Sequence, residues 1–143
     1  MAITSAICTS FKVEILKGVH NFTASSGNTF NLALYTSSAS LGAATTAYTT
    51  SNEVSGSGYT AKGNALTSVT PVADSTTAVC DFSDTSFTSA SFTARGCMIF
   101  NDSASGDPAV CVIDFGADKT VTSGTFTIQF PAADASNAIV RIA

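Results

Sequence analysis

The stretch FNLALY, Phe30 to Tyr35, decides how this chain is read. Side chains of an extended strand alternate between its two faces, so Phe30, Leu32 and Leu34 share one side and Asn31, Ala33 and Tyr35 the other. From Phe30 onward that two-residue period recurs, broken by turn residues, at 65–72, 77–82, 91–101, 109–115, 122–130 and 138–142. Strands at this spacing predict a mainly β chain, an antiparallel β-sandwich or a compact barrel. The connections have turn chemistry: NDSASGDP at 101–108 separates two strong strands, and DKTVTSG at 118–124 punctuates another hairpin.

Upstream of Phe30 the period changes. Ile7, Phe11, Ile15 and Val19 fall one above another at four-residue spacing, flanked by Cys8 and Leu16. This predicts one N-terminal α-helix over 4–18, within residues 1–20, packed on a sheet. Thr4 or Ser5 is placed to cap its start and Gly18 to end it, and Lys17 lies in the last turn, where the helix dipole favours a cation. Downstream, residues 37–63 are rich in Ala, Ser, Thr and Gly and nearly free of large aliphatic side chains. That is longer than a compact domain usually carries as a structureless loop. The expectation is an extended interaction loop, with a short helix near 38–46, that becomes ordered against a neighbouring subunit. Leu41, Tyr48, Val54 and Tyr59 are its candidate contacts with that partner. Removal of residues 39–47 is expected to spare solubility and abolish assembly. No fixed-period repeat interrupts the chain, and its 143 residues read as one domain.

Only 11% of the residues are charged, against roughly 25% in an ordinary soluble domain. Ser and Thr fill 41 of the 143 positions instead. A skin of hydroxyls and methyls is easily dried, because burying Thr strands no ion and orders few rotatable bonds, whereas Lys or Glu does both. The composition therefore favours packing against other protein. The net charge is −4, and the six basic residues, Lys12, Lys17, Lys62, Arg95, Lys119 and Arg141, are scattered singly. Direct nucleic-acid binding and attraction to an anionic membrane are disfavoured on that ground. Mean hydropathy is +0.31, yet no apolar run approaches the roughly 18 residues of a spanning helix. The opening MAITSAICTSFKVEILKG has no basic region followed by an apolar block, so no export signal is read there. Cys8, Cys80, Cys97 and Cys111 lie in apolar stretches without a CxxC pair and read as buried free thiols.

Residues for chemistry are few. His20 is the single histidine, placed after the helix with no nucleophile set beside it by a recognisable motif, and it reads as structural. The GxSxG, HExxH and HxE with PCxxC signatures do not occur. SGSGYTAKG at 55–63 lacks the GK[ST] end of a phosphate loop and reads as a turn. Asn101, Ser103, Ser105, Gly106 and Asp107 imitate the alternating oxygens of a calcium loop, but carboxylates are few and the distal Glu is missing. Asp81 and Asp84 are close enough to meet as a pair, although turn-forming Asp is the default reading. Arg95 is expected to form an ion pair with Asp81 or Asp114. No catalytic, cofactor-binding or metal-binding residue is assigned, and the chain is not expected to be an enzyme.

Several segments carry a resemblance. They are 1–17, LALYTSSASLGAATTAYTTSNEVSGSGYTAKG at 32–63, FTARGCMIFN at 92–101, VIDFGADKTVTSGTFTIQFP at 112–131 and the ending AIVRIA. Together they cover most of the chain, and they resemble a family of small virion-associated structural proteins of tailed bacteriophages. Where the family pattern often has two glycines, this chain has Lys62 and Gly63. The resemblance carries no active-site residues. It implies a late structural gene product, assembled in the host bacterial cytoplasm and carried in the virion, in contact with other copies of itself and with capsid or tail subunits. The leading role so implied is capsid decoration or cement, in trimers or another small ring over joints of the lattice. A head-to-tail connector or tail component, joined by strand addition through residues 37–63, is the alternative. A particle-displayed glycan-binding adhesion module is a further one, for which Trp is missing and Tyr35, Tyr48 and Tyr59 are the available platforms.

Overall fold

The computed structural model describes residues 2–143. The chain is mainly β, as predicted, with two antiparallel sheets and one short helix. In chain order the elements are β1 (Ala6–Ile7), α1 (Thr9–Leu16), β2 (Phe30–Tyr35), β3 (Asn64–Ala65), β4 (Ser68–Asp74), β5 (Thr77–Phe82), β6 (Thr85–Asn101), β7 (Ala109–Ile128) and β8 (Val140–Ile142). The larger sheet has the order β1-β7-β6-β2-β3 and the smaller β4-β5-β8. Both sheets are open, so of the two expected architectures the sandwich describes the molecule and the closed barrel does not.

β2 lies between β6, with which it pairs from Phe30↔Asn101 to Tyr35↔Gly96, and the short edge strand β3. All six of its side chains are buried. On one face Phe30 stacks on Phe22, ring centres 4.2 Å apart, and meets Phe82 of β5 at 5.9 Å, so the two sheets join through aromatic rings. On the opposite face the Tyr35 hydroxyl donates to the Thr49 carbonyl at 2.7 Å, which draws the segment after β2 back over the sheet. One contiguous core runs through both sheets.

Three local expectations are corrected. The helix expected over 4–18 is confined to Thr9–Leu16, because the residues before it serve as strand. Ile3 bridges to Leu41, and Ala6 and Ile7 pair with Val112 and Cys111. Alternation along an extended chain sends Ile3 and Ile7 to the same side, and β-branched isoleucine suits that conformation. Neither Thr4 nor Ser5 caps the helix; Cys8 holds the extended cap position without a side-chain bond, and the Thr9 N–H donates to the Ala43 carbonyl at 2.8 Å. Gly18, at φ +73°, ends the helix as expected.

The second correction concerns 118–124, which is no hairpin turn. β7 runs through it for 20 residues, antiparallel to β6. The register slips between Asp114 and Lys119, where Gly116 takes φ +79°, and again near Ser123, at φ +46°. The Asp, Gly and Ser residues that resemble a turn therefore form bulges, which bend a strand without ending it. The third correction is at 38–46, which forms turns rather than a helix. There the Leu41 N–H donates to the Ala2 carbonyl at 3.1 Å, and its carbonyl accepts the Thr4 N–H at 2.9 Å.

Candidate interaction surface

Residues 37–63 bridge to the larger sheet at Glu53 with Tyr35 and Ser57 with Ser91, and to the segments flanking it at Leu41 with Ile3 and Ala47 with Pro108. Their order comes from within the chain. The Glu53 carboxylate accepts the Tyr48 hydroxyl at 2.6 Å on Oε2, and the Tyr59 hydroxyl at 2.6 Å and the Lys62 N–H at 2.8 Å on Oε1. The Tyr59 oxygen in turn accepts the Leu34 N–H of β2 at 2.9 Å. Burial, reinforced by the bond to Glu53, pushes the Tyr48 hydroxyl up to about 12. The same two causes push Tyr59 further up. Both phenols therefore remain donors near neutral pH.

Lys62 and Gly63 close this knot. Both hold left-handed backbone, at φ +74° and +65°. A Cβ on Gly63 would lie 1.8 Å from the Leu32 carbonyl oxygen, so only glycine fits there. The Lys62 ammonium stands 2.8 Å from both Asp102 Oδ1 and Asp107 Oδ2, which hold its pKa above the usual lysine range. It thus takes the position a cation would need in the calcium-like loop. Asn101 Oδ1 is engaged as well, accepting the Ser103 and Ala104 N–H groups. Among the described residues no group of three or more His, Cys, Asp or Glu is placed to hold a metal ion.

The four expected partner contacts are turned inward. Leu41 and Val54 are 7% and 4% exposed, the Tyr48 ring stacks 4.8 Å from Phe100, and Tyr59 lies 5.5 Å from Phe87. Reading the segment by its lack of aliphatic bulk missed Glu53, whose three directional bonds replace hydrophobic packing as the source of order. Residues 39–47 include buried Ala39 and Leu41 and the bridging Ala47. Their removal would therefore also take away part of the core.

The remaining candidates for chemistry are also occupied. The His20 side chain is fully buried, with Nε2 2.7 Å from Glu14 Oε2, Nδ1 3.1 Å from Asn101 Nδ2, and its ring 4.9 Å from Phe11. This network ties α1 to the end of β6. All four cysteines are free and buried. Burial pushes the Cys8 thiol up to about 11 and those of Cys80 and Cys97 to about 12, which leaves them as thiols rather than nucleophilic thiolates. Arg95 pairs with Asp118 at 2.9 Å, not with Asp81 or Asp114. Asp81 is buried beneath the segment before β8; its Oδ1 accepts the Phe82 N–H at 2.8 Å, and its Oδ2 has no partner. Burial, with Asp134 and Asp84 nearby, raises its pKa.

What stays open is the far half of the β6–β7 ribbon. One face carries hydroxyls: Ser86 and Thr127 bond at 2.9 Å and Thr93 and Thr120 at 2.8 Å, with the Arg95–Asp118 pair at one end. The other face is apolar: Phe87 and Phe92 are buried there beneath Tyr59, while Phe126, 5.2 Å from Phe92, is half-buried. Beside Phe126 a groove of about 560 Å³ runs between Ile113, Phe115, Ile128, Phe130 and Ile139, and Lys119 is its one charged lining residue. The outward edge of β7 is paired with β1 only at Cys111 and Val112. Thr120, Thr122, Thr125 and Thr127 alternate with half-buried Val121, Phe126 and Ile128, but the groove beside them is set by tertiary structure alone.

No family model, curated protein or solved structure matches the chain.

Proposed function

We propose that the chain is a structural protein of tailed-bacteriophage virions that serves as a capsid decoration or cement protein, assembled in the host bacterial cytoplasm and carried on the particle. The observation that carries this reading is the far half of the β6–β7 ribbon. It offers a hydroxyl face with a single ion pair and an apolar groove beside an open strand edge. Such a surface loses its water at small electrostatic cost and supplies apolar area in return. The resemblance of the segments quoted above supplies the setting. In this reading the partners are other copies of the chain and capsid subunits, and each stable contact buries on the order of 1,200 Å² or more.

The open edge of β7 favours a second reading, a head-to-tail connector or tail component that accepts a strand from a neighbour. Residues 37–63 no longer support that mode, since they are held within the chain. Copy number separates the two readings. Quantitative mass spectrometry of purified virions is expected to count hundreds of copies per particle for a cement protein; a count of about a dozen favours the tail, and absence from particles refutes both.

A further inference from the structure

Thr120 to Ile128 reads TVTSGTFTI, nine residues with neither charge nor proline. Among the described residues no strand pairs with the outward side of β7 beyond Val112. Folded proteins usually blunt such an edge with lysine, proline or a covering loop, because its unpaired N–H and C=O groups template strand addition. Here the bulges at Gly116 and Ser123 bend the edge, yet strand geometry persists on both sides of Ser123.

The segment is close to a palindrome. About a point between Ser123 and Gly124, Thr122 mirrors Thr125, Val121 mirrors Phe126 and Thr120 mirrors Thr127. The pairing with β6 shows that these equivalences respect the faces. Thr120 and Thr127 lie with Thr93 and Ser86 on the hydroxyl face, while Val121 and Phe126 lie opposite Phe92 and Phe87 on the apolar face. A two-fold axis normal to the sheet therefore brings hydroxyl to hydroxyl and apolar to apolar. We propose that two copies of this chain join edge to edge through β7 about that axis, forming one sheet continuous across both molecules, with each copy helping to close the groove of the other.

Charge agrees with this occupant. Two chains of net charge −4 repel, but the paired segment itself is uncharged. Lys119, which has no salt bridge in its own chain among the described residues, falls opposite Ile128 of the second copy. That places it toward the end where Asp84 accepts the Phe130 N–H at 2.7 Å. Nine residues at about 3.3 Å each make an edge about 30 Å long, short by itself of the roughly 1,200 Å² of a stable interface. Val121 and Phe126, half-buried in their own chain, meet across the axis on the apolar face and add the area they still expose.

This contact deepens the reading above and rests on it for its use in a particle, but the purified chain tests it without any particle, so the two fail separately. Sedimentation equilibrium is expected to show the 14.5 kDa chain passing to twice that mass as its concentration rises. Hydrogen exchange at 120–128 slows in step. Thr122 and Thr125 are both exposed, so changing them leaves the fold intact. Thr122→Lys with Thr125→Lys sets like charges opposite each other twice and is expected to weaken the dimer about tenfold or more. Thr122→Lys with Thr125→Glu sets opposite charges there and restores it. A wild-type chain that stays monomeric at millimolar concentration, a three-copy mass, or a double-lysine variant that associates like the wild type overturns the proposal.

Discussion

Residues 37–63 contain hardly any aliphatic bulk and are held firmly, whereas residues 119–130 are rich in aromatic and β-branched side chains and leave a groove uncovered. The first region is closed by geometry: Glu53 collects two phenols and a backbone N–H, and Lys62 spans two carboxylates. In the second, Phe126, Ile128 and Phe130 are half-buried along a groove. Hydrophobic burial has no direction and stops when the local chain runs out, while a satisfied polar hub fixes a segment that has little to bury. Apolar content therefore marks a half-open groove as readily as it marks the core.

The contrast is broken most violently at Gly63. Gly63→Ala drives a Cβ into the Leu32 carbonyl at a left-handed backbone position, and it is expected to cost about 4 kcal/mol or more. In a chain of this length that lowers the thermal midpoint by about 12 °C, measurable by circular dichroism. A loss within about 3 °C would mean that the knot tolerates movement there.

Glu53→Ala comes next. It leaves the Tyr48 and Tyr59 hydroxyls and the Lys62 N–H without their acceptor, at an expected cost of about 3 kcal/mol. Amide exchange through 37–63 should speed up together, and a change confined to Glu53 itself would show that the segment has another anchor.

On the other side of the comparison, Ile128→Ala should cost only about 1 kcal/mol, because its pocket is already half open. Urea titration checks this, and a cost near the 2–5 kcal/mol typical of enclosed aliphatic side chains would show that the groove is shut in the monomer.

Asp81 sharpens the picture by the smallest margin. Burial, with Asp134 and Asp84 adding to it, raises its folded-state pKa above the unfolded value. The folded chain thus binds this proton more tightly. The stability so gained is full below the ordinary carboxylate range and is lost as pH rises through the raised value. Asp81→Asn removes the dependence, so the midpoint of the variant should gain on the wild type between pH 4 and pH 7. A gap that stays constant with pH would place the proton elsewhere.

Much of this was legible in advance because it is local. The alternation in FNLALY marks a strand whatever surrounds it, and Thr77–Phe82 was bounded correctly by the same signal. Gly18 stops the helix because glycine alone takes that backbone freely. The four cysteines were read as free thiols from their apolar settings and are so. Leu41, Tyr48, Val54 and Tyr59 are the large side chains of a sparse segment, and sequence does not say that they turn toward their own sheet.

By itself, then, the order of residues determined that the chain is β-rich, that Phe30–Tyr35 and Thr77–Phe82 are strands, and that its thiols pack as small hydrophobes. Only tertiary structure decided that 118–124 continues a strand, that residues 3–7 join the sheet instead of the helix, that Glu53 gathers its donors and that a groove stays open beside β7. Ser5 meets Asp114 across 109 positions of chain, and Lys62 meets Asp102 across 40. Periodicity is set by neighbours a few residues apart, whereas closure depends on which distant segments arrive at the same place.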